Sequence, residues 1–319
     1  MSESWGECIN NSSSGAGLAC QKVLINLLSV PLSITIIVGN LAIIVGIIGN
    51  RRLHNTTNYY MLSLLLAGLF TGIILPSLAR MSFKSQFAFQ ACFIFHLFPN
   101  FIFLSFLSNL LVVQYNRYAC IIHPFHYGVS WIHKYVPVVV LTTWVLPLLF
   151  ASLPLIGWNN WSPDNETCFF KYVFPHAYIY LEIYGLLIPS ILAITAMIGR
   201  ILHVARGQMK AIKKMHRAVQ SNSTALEQQL DFKYAKCIIG FFFIFLVCWV
   251  PYIVFIHVSY FVKDSGHGHR IHIILSSLGT SSAALIPFVM VLNNKEYFEL
   301  WRKVFQKVFQ CCAKMPNVN

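Results

Sequence analysis

The chain has 319 residues, of which 57% are hydrophobic and only 10% are charged, and its formal net charge is +13. A soluble protein of this length would carry far more charge on its surface, so the composition excludes an ordinary soluble domain. Such a composition is typical of a membrane protein.

Seven continuous apolar stretches are long enough to cross a membrane, since a spanning helix needs about 20 apolar residues. They lack the alternation of outer-membrane barrel strands, and little chain lies outside them. The sequence therefore predicts an all-α membrane protein: a tail over 1–23, a seven-helix bundle over 24–292, and a C-terminal segment over 293–319. The predicted spans are 24–49, 58–80, 91–117, 135–157, 176–199, 237–262 and 271–292.

The basic residues indicate how the chain is oriented. If the N-terminus lies outside the cell, most of the 23 Lys and Arg residues fall on the cytoplasmic side, as membrane proteins prefer. We therefore expect a multi-pass plasma-membrane protein with an extracellular N-terminus. The first 22 residues are polar, so no cleavable signal peptide is expected. A basic face beside anionic lipid explains the net charge, and no nucleic-acid partner is expected.

Signals for modification lie on the predicted outer side. Asn10, Asn11 and Asn165 begin Asn-x-Ser/Thr triplets and are predicted glycosylation sites, and Asn160 begins another such triplet. The triplet is a weak signal by itself, because it also occurs in predicted cytoplasmic segments.

Two cysteines are placed to form a disulfide bond. Cys92 lies at the outer end of the third span and Cys168 in the second outer loop, where an oxidising environment favours a bond. This bond would tie the loop to the helix as a lid. The sequence leaves open whether Cys8 and Cys20 form a second bridge.

Polar side chains inside the predicted spans are candidates for a binding site, because a polar group in a membrane is costly. Glu182 is the only acid within any predicted span, and it can accept or donate a hydrogen bond according to its protonation. Helical spacing puts His96 and Asn100 on one face, and likewise Trp249 and Tyr252. A single histidine or hydroxyl in such a place more often serves helix packing. The candidate ligand-binding residues are Phe95, His96, Asn100, Glu182, Trp249, Tyr252 and Ser281.

These residues predict a tall, mostly apolar pocket with a few polar groups. A rigid amphipathic sterol suits such a pocket, because it offers a hydrophobic body with hydroxyls at one edge. The outer half of the spans has no deep Lys or Arg, so we expect an acidic ligand tail near the mouth, beside Arg80 or Lys84. The third span is neutral at "LFPNFIF", which disfavours amine ligands.

The C-terminal stretch "KEYFELWRKVFQKVF" predicts a short amphipathic eighth helix. Phe298 and Trp301 belong to an apolar stripe that the basic residues avoid, a pattern typical of a helix lying in the membrane interface. A soluble tail helix is the alternative. Cys311 and Cys312 follow and are predicted palmitoylation sites.

Enzymes, metal sites and transport pathways are not favoured by the sequence. No motif links a nucleophile to a base, so we expect neither an enzyme nor a cofactor. His267, His269 and His272 could bind a metal or sense pH, but no cysteine or carboxylate cluster completes a site, so a solvated loop is favoured. A transporter or channel is a remote alternative, because Glu182 alone does not make a charged pathway.

Several motifs together resemble the rhodopsin-like G-protein-coupled receptors. They are Asn116-Arg117-Tyr118 at the inner end of helix three, "CWVPY" in helix six, the cysteine pair and the amphipathic eighth helix. Five further stretches are similar to the bile acid receptors within that family: "LSLLLAGLFTGIILP", "PNFIFLSFLSNLL", "PLLFASLPLIGWNNWSP", "YIYLEIYGLLIP" and "SLGTSSAALIP".

The resemblance implies a bile acid or related steroid as ligand, contacted by Glu182, Asn100 and Tyr252. It also implies activation of a heterotrimeric G protein, the stimulatory one that raises cAMP, and it makes arrestin a further candidate partner. Another lipid or steroid ligand, such as a bile alcohol, is the alternative.

The resemblance further implies that Arg117, with Asn116 and Tyr118, forms the G-protein coupling site. Asn116 replaces the usual acid and cannot hold Arg117 as an ion pair, so we predict that Arg117 pairs with Asp231 at rest. A partly exposed pair contributes only ~1 kcal/mol, which predicts a leaky resting state. The alternative is that Arg117 only extends to the interface.

Two other departures concern the core of the bundle. Gly68 stands where the family usually has an acid in helix two, and Ile286-Pro287-Phe288-Val289-Met290 replaces Asn-Pro-x-x-Tyr in helix seven. We therefore expect no sodium site in the core and a different packing of the inner switch.

Overall fold

The computed structural model describes residues 15–81, 89–161, 173–216, 224–261, 268–293, 297–299, 301, 302 and 306. Every regular element among them is helical. The long helices, numbered in chain order, are α1 Gly15–Gly49, α2 Thr56–Met81, α3 Phe89–Ile122, α4 Val136–Ile156, α5 (His176–Tyr180, the π-helical Leu181–Leu187, and Ile188–His216), α6 Thr224–Phe261 and α7 Gly268–Asn293. Three short helices join them at Arg51–Leu53, Pro124–Tyr127 and Trp131–Lys134.

Seven of the described helices are long and apolar enough to cross a membrane, which confirms the predicted all-α seven-helix bundle. Their membrane-compatible portions are Asn26–Gly49, Thr56–Ser77, Phe89–Ile122, Val136–Ile156, His176–Val204, Phe242–Ser259 and Ile274–Leu292. The third is longer than the predicted 91–117, because its helix continues through the Asn116-Arg117-Tyr118 motif to Ile122.

The helix α3 lies at the centre of the bundle, in contact with α2, α4, α5 and α6. Around it, α1 packs against α2 and α7, and α7 packs against α6. Leu110 and Val113 of α3, Phe245 of α6 and Met290 of α7 are completely buried. Outward-facing apolar residues such as Val247 are exposed, as expected for a surface that contacts lipid rather than water.

Hydrogen bonds between helices fix the bundle, because polar groups away from water need protein partners. The Asn40 Nδ2 donates to the Ile36 oxygen at 2.8 Å and to the Ala283 oxygen of α7 at 2.9 Å. The Trp144 Nε1 of α4 donates to the Ser63 Oγ of α2 at 2.9 Å.

Gly68 is explained by the position of Asn40. A Cβ atom built on Gly68 would lie 2.8 Å from the Asn40 Oδ1, closer than non-bonded atoms allow. The side chain of Asn40 therefore fills the space beside position 68, and any side chain there would require the Asn40 amide to move.

The C-terminal segment is tied to the start of α2. Residues 297–299 and 301–302 are helical, and the buried Tyr297 donates its hydroxyl to the Asn58 Oδ1 at 2.7 Å. The Trp301 ring packs edge-on against Phe288 of α7, with centroids 5.3 Å apart. Phe298 is 54% exposed, so one apolar ring of this segment faces away from the bundle.

Candidate functional site

A cavity of about 290 Å³ opens among the helices at the end of the bundle where α3, α5 and α7 begin. Its volume is close to the lower limit for small-molecule sites, which is ~300 Å³. Six helices line it, and α4 is the long helix that contributes no lining residue. The walls are mainly aromatic and aliphatic: Ile74, Leu75, Phe95, Pro99, Ile102, Phe103, Phe106, Phe174, Ile179, Ile183, Leu187, Ile253 and Ile256.

Polar groups from α3, α5 and α6 meet on one side of this cavity. Asn100 lies against the Glu182 carboxyl group, and Tyr252 is close enough to that group to interact with it electrostatically. Glu182 belongs to the π-helical segment Leu181–Leu187, and single π turns inside α-helices are frequent at functional sites. These groups can together accept and donate hydrogen bonds to a ligand hydroxyl.

The Asn100 amide is held in a fixed orientation by Tyr178. The Asn100 Nδ2 donates to the Tyr178 hydroxyl at 2.8 Å, and Tyr178 is fully buried. The Tyr178 ring stacks on Phe150 and on Phe174, with centroid distances of 4.9 and 5.2 Å. Among the described residues the buried Asn100 Oδ1 has no hydrogen-bond partner, so it is an acceptor that a ligand could use.

Trp249 lies in the cavity wall between α3 and α7. Its ring packs against Phe103 with centroids 4.4 Å apart, and its Nε1 donates to the Ser282 Oγ at 3.1 Å. A Cβ built on Gly279 would lie 2.9 Å from the Trp249 Cε3, so the absence of a side chain there makes room for the indole. Trp249 therefore contributes to the contacts of α6 with both α3 and α7.

Most of the residues predicted for the ligand site line this cavity: Phe95, His96, Asn100, Glu182, Trp249 and Tyr252. Ser281 does not line it. Its hydroxyl donates to the Leu278 oxygen at 2.6 Å and lies 3.7 Å from the Cys248 Sγ. The neighbouring Thr280 does line the cavity, and successive residues of a helix point in different directions, so Ser281 faces elsewhere.

Other lining residues were not predicted from the sequence: Ser29, Thr71, Ser276 and Ser277. For the two in α7 a signal was present, since Ser276 and Ser277 precede Thr280 by four and three positions and so share its face. Nothing in the sequence around Ser29 or Thr71 distinguishes these residues from packing residues.

At the opposite end of α3, Asn116 is completely buried and bonded on both sides. Its Nδ2 donates to the Thr57 Oγ1 of α2 at 3.0 Å, and its Oδ1 accepts from the Tyr127 hydroxyl at 2.8 Å. Burial raises the pKa of Tyr127 above its usual value, and Cys120 adds to this, so the hydroxyl remains protonated and able to donate. Asn116 thus ties α2, α3 and the short helix Pro124–Tyr127 together.

Arg117 lies beside this network. It lines a second, more polar cavity of about 240 Å³ together with Thr57, Cys120 and His133. Tyr118 packs edge-on against His123, with centroids 6.2 Å apart. The Asp231 side chain lies outside the described part of the molecule, so its pairing with Arg117 stays a prediction.

Cys92 is completely buried and is disulfide-bonded. Its predicted partner Cys168 lies outside the described residues, so that pairing also stays a prediction. The same holds for the predicted modification sites and the residues expected at the cavity mouth, whose side chains are not described: Asn10, Asn11, Asn165, Cys311, Cys312, Arg80 and Lys84.

Comparison with known families agrees with this architecture. Residues 39–290 match the model of the 7 transmembrane receptor (rhodopsin family). The chain therefore belongs to the rhodopsin family of seven-transmembrane receptors, whose members are signalling receptors of the plasma membrane and not enzymes.

Comparison with individual proteins finds similar receptors within this family. The chain is 39% identical to the G-protein coupled bile acid receptor 1 of Bos taurus, over 91% of this chain and 88% of that protein. It is 37% identical to the receptor of the same name from Homo sapiens, over 89% of this chain and 85% of that protein. For the Rattus norvegicus receptor the identity is 36%, over 91% and 88% respectively.

Proposed function

We propose that this protein is a cell-surface receptor for bile acids or related amphipathic steroids, and that it activates a heterotrimeric G protein of the stimulatory class and so raises cAMP. The observation that carries the proposal is the cavity, whose mainly apolar walls include a polar side made by Asn100, Glu182 and Tyr252. The names of the relatives in cattle, human and rat support it.

The chemistry of the cavity matches a steroid in two respects. A rigid hydrocarbon nucleus gains from burial against the aromatic walls by roughly 25 cal/mol for each Å² removed from water, and it loses little conformational freedom on binding. A ring hydroxyl can donate to the Asn100 Oδ1, which otherwise has no partner among the described residues. Hydrogen bonds from that hydroxyl to Glu182 and Tyr252 would then fix the orientation of the steroid in the cavity.

Trp249 is the residue through which we propose that binding reaches the G protein. A steroid seated against it favours one packing of α6 over another, and a ligand shifts such an equilibrium by the difference in its affinity for the two states. Movement of α6 would then open the surface around Arg117 to the G protein. Asn116, Tyr118 and Asp231 complete the proposed coupling site, with Asp231 as the resting partner of Arg117.

The remaining features of the proposal concern the surface of the receptor. We place the N-terminal tail outside the cell, with glycans on Asn10, Asn11 and Asn165. We also propose a disulfide bond between Cys92 and Cys168, which the buried, disulfide-bonded state of Cys92 supports. Palmitate on Cys311 and Cys312 would anchor the C-terminal segment, and the anchoring of Tyr297 at Asn58 favours a position beside the inner membrane surface. Arrestin is a further proposed partner.

The test is a dose–response measurement of cAMP in transfected cells exposed to bile acids, bile alcohols and other steroids. We expect a saturable rise with wild type, and roughly tenfold lower potency for Tyr252→Phe, because its hydroxyl lies at the polar side of the cavity. Tyr180→Phe is the matched control, since Tyr180 is 39% exposed and does not line the cavity.

A response of wild type to other lipids but to none of the steroids would exclude the proposed ligand class while leaving a lipid receptor. Equal potency of the Tyr252→Phe and Tyr180→Phe variants at equal surface expression would exclude the proposed polar contact.

A further inference from the structure

The cavity has a second polar side, formed by hydroxyl groups from three helices. They belong to Ser29 of α1, Thr71 of α2, and Ser276, Ser277 and Thr280 of α7, all of which line the cavity; we refer to these five residues as the hydroxyl cluster. Because α1 packs against α2 and α7 while α5 packs against α3 and α6, the cluster lies across the bundle from Glu182.

Ser29 is the member of the cluster that points to a ligand. Its side chain is 5% exposed, and its Oγ has no hydrogen-bond partner in the part of the chain that the structure describes. Ser33, one turn further along α1, is equally buried but donates to the Gly72 oxygen at 2.6 Å. Buried hydroxyls in proteins normally have a hydrogen-bond partner, so Ser29 offers an unused hydrogen-bonding group to a ligand in the cavity.

The chemistry of the hydroxyl cluster defines which ligand group fits. The Thr71 hydroxyl donates to the Ala67 oxygen at 3.0 Å and the Thr280 hydroxyl to the Ser277 oxygen at 2.9 Å, so both oxygens are left as acceptors. Ser29 can donate or accept. Among the described lining residues Glu182 is the only Asp, Glu, Lys or Arg. A neutral group that both donates and accepts is therefore matched, whereas a carboxylate or an ammonium is not.

We propose that the hydroxyl cluster is a second polar subsite, which binds a hydroxyl at the end of the steroid remote from the one held by Asn100 and Glu182. This inference rests on the proposed steroid function and makes it more specific. The preferred ligand is then a steroid hydroxylated at both ends, and Ser29 is the residue that distinguishes it from a steroid hydroxylated at one end only.

The test compares two probes: a steroid with a ring-A hydroxyl and a primary alcohol at the end of its side chain, and the same steroid with a methyl group in place of that alcohol. In wild type the diol should be about tenfold more potent in raising cAMP, equivalent to ~1.4 kcal/mol. In Ser29→Ala that ratio should fall to about twofold or less, because the partner of the second hydroxyl is gone.

Ser29→Ala removes no hydrogen bond among the described residues, so its surface expression should equal that of wild type. Thr71→Val is a second variant, expected to reduce the same ratio. Its matched control is Thr35→Val, because Thr35 makes the same kind of bond to the fourth preceding carbonyl, at 2.8 Å, but on an exposed face of α1.

The outcomes separate the two levels of the proposal. If wild type responds to both probes but the diol-to-monoalcohol ratio is unchanged in Ser29→Ala and Thr71→Val, the subsite is wrong and the steroid function stands. A wild type that responds to no steroid while reaching the surface would overturn the steroid function and the subsite together.

Discussion

The Asn116 side chain occupies the position where this family usually carries an acid. Its hydrogen bonds show the consequence of having an amide there. An amide can donate to Thr57 and accept from Tyr127 at the same time, as the distances of 3.0 and 2.8 Å indicate. A carboxylate could only accept, and it would attract the neighbouring guanidinium of Arg117. The amide thus connects three elements but, unlike an acid, adds no negative charge at the position next to Arg117.

Replacement of Asn116 by aspartate is therefore expected to lower signalling in the absence of ligand. The added ion pair with Arg117 should favour the resting state by ~1 kcal/mol, or roughly a fivefold change in the equilibrium. The measurement is basal cAMP per receptor at the cell surface. Tyr127→Phe serves as a comparison, because it removes one bond of Asn116 without adding charge; basal signalling that is equal or higher in Asn116→Asp would contradict this role.

Among the helices, α1 packs closely against both α2 and α7 at Asn40. Gly68 lets the Asn40 amide lie against the α2 backbone, and that amide in turn bonds to Ala283 of α7. One residue of α1 therefore holds two other helices, and this contact depends on the missing side chain at position 68.

The substitution Gly68→Ala should destabilise the bundle. Its Cβ would be 2.8 Å from the Asn40 Oδ1, and such overpacking typically costs about 1–3 kcal/mol. We expect the melting temperature of the detergent-purified receptor to fall by several degrees. Gly199→Ala is the matched control, because a Cβ there meets nothing within 4 Å; a melting temperature equal for the two variants would show that the close contact is not strained by a methyl group.

The elements also show what the sequence could and could not predict. Hydropathy predicted all seven spans, because lipid requires ~20 apolar residues in each. It missed the continuation of α3 to Ile122, because the polar residues Asn116 and Arg117 interrupt the apolar run there. The π-helical turn at Leu181–Leu187 was also missed, since a change of hydrogen-bond partner over seven residues leaves the apolar composition of the helix unaltered.

For the molecule as a whole, helical spacing alone placed His96 and Asn100 on one face, and both line the cavity. Ser281 was chosen only because it carries a hydroxyl in α7, and it is the neighbouring Thr280 that lines the cavity. Helical spacing was not applied there, although it places Ser276 and Ser277 on the face of Thr280. Ser29 could not be recognised, since the feature that sets it apart is an unbonded oxygen, and only three-dimensional contacts reveal it.

We propose that a steroid in this cavity, held in part by Glu182, activates a stimulatory G protein. The most direct measurement is guanine nucleotide exchange on the purified stimulatory G protein with the purified receptor in lipid nanodiscs, as a function of bile acid concentration. We predict a saturable acceleration with wild type and at least roughly tenfold weaker potency with Glu182→Gln, which keeps the shape of the side chain but removes its ability to ionise. If no bile acid or related steroid accelerates exchange with a correctly folded wild-type receptor, the protein is not the proposed steroid receptor.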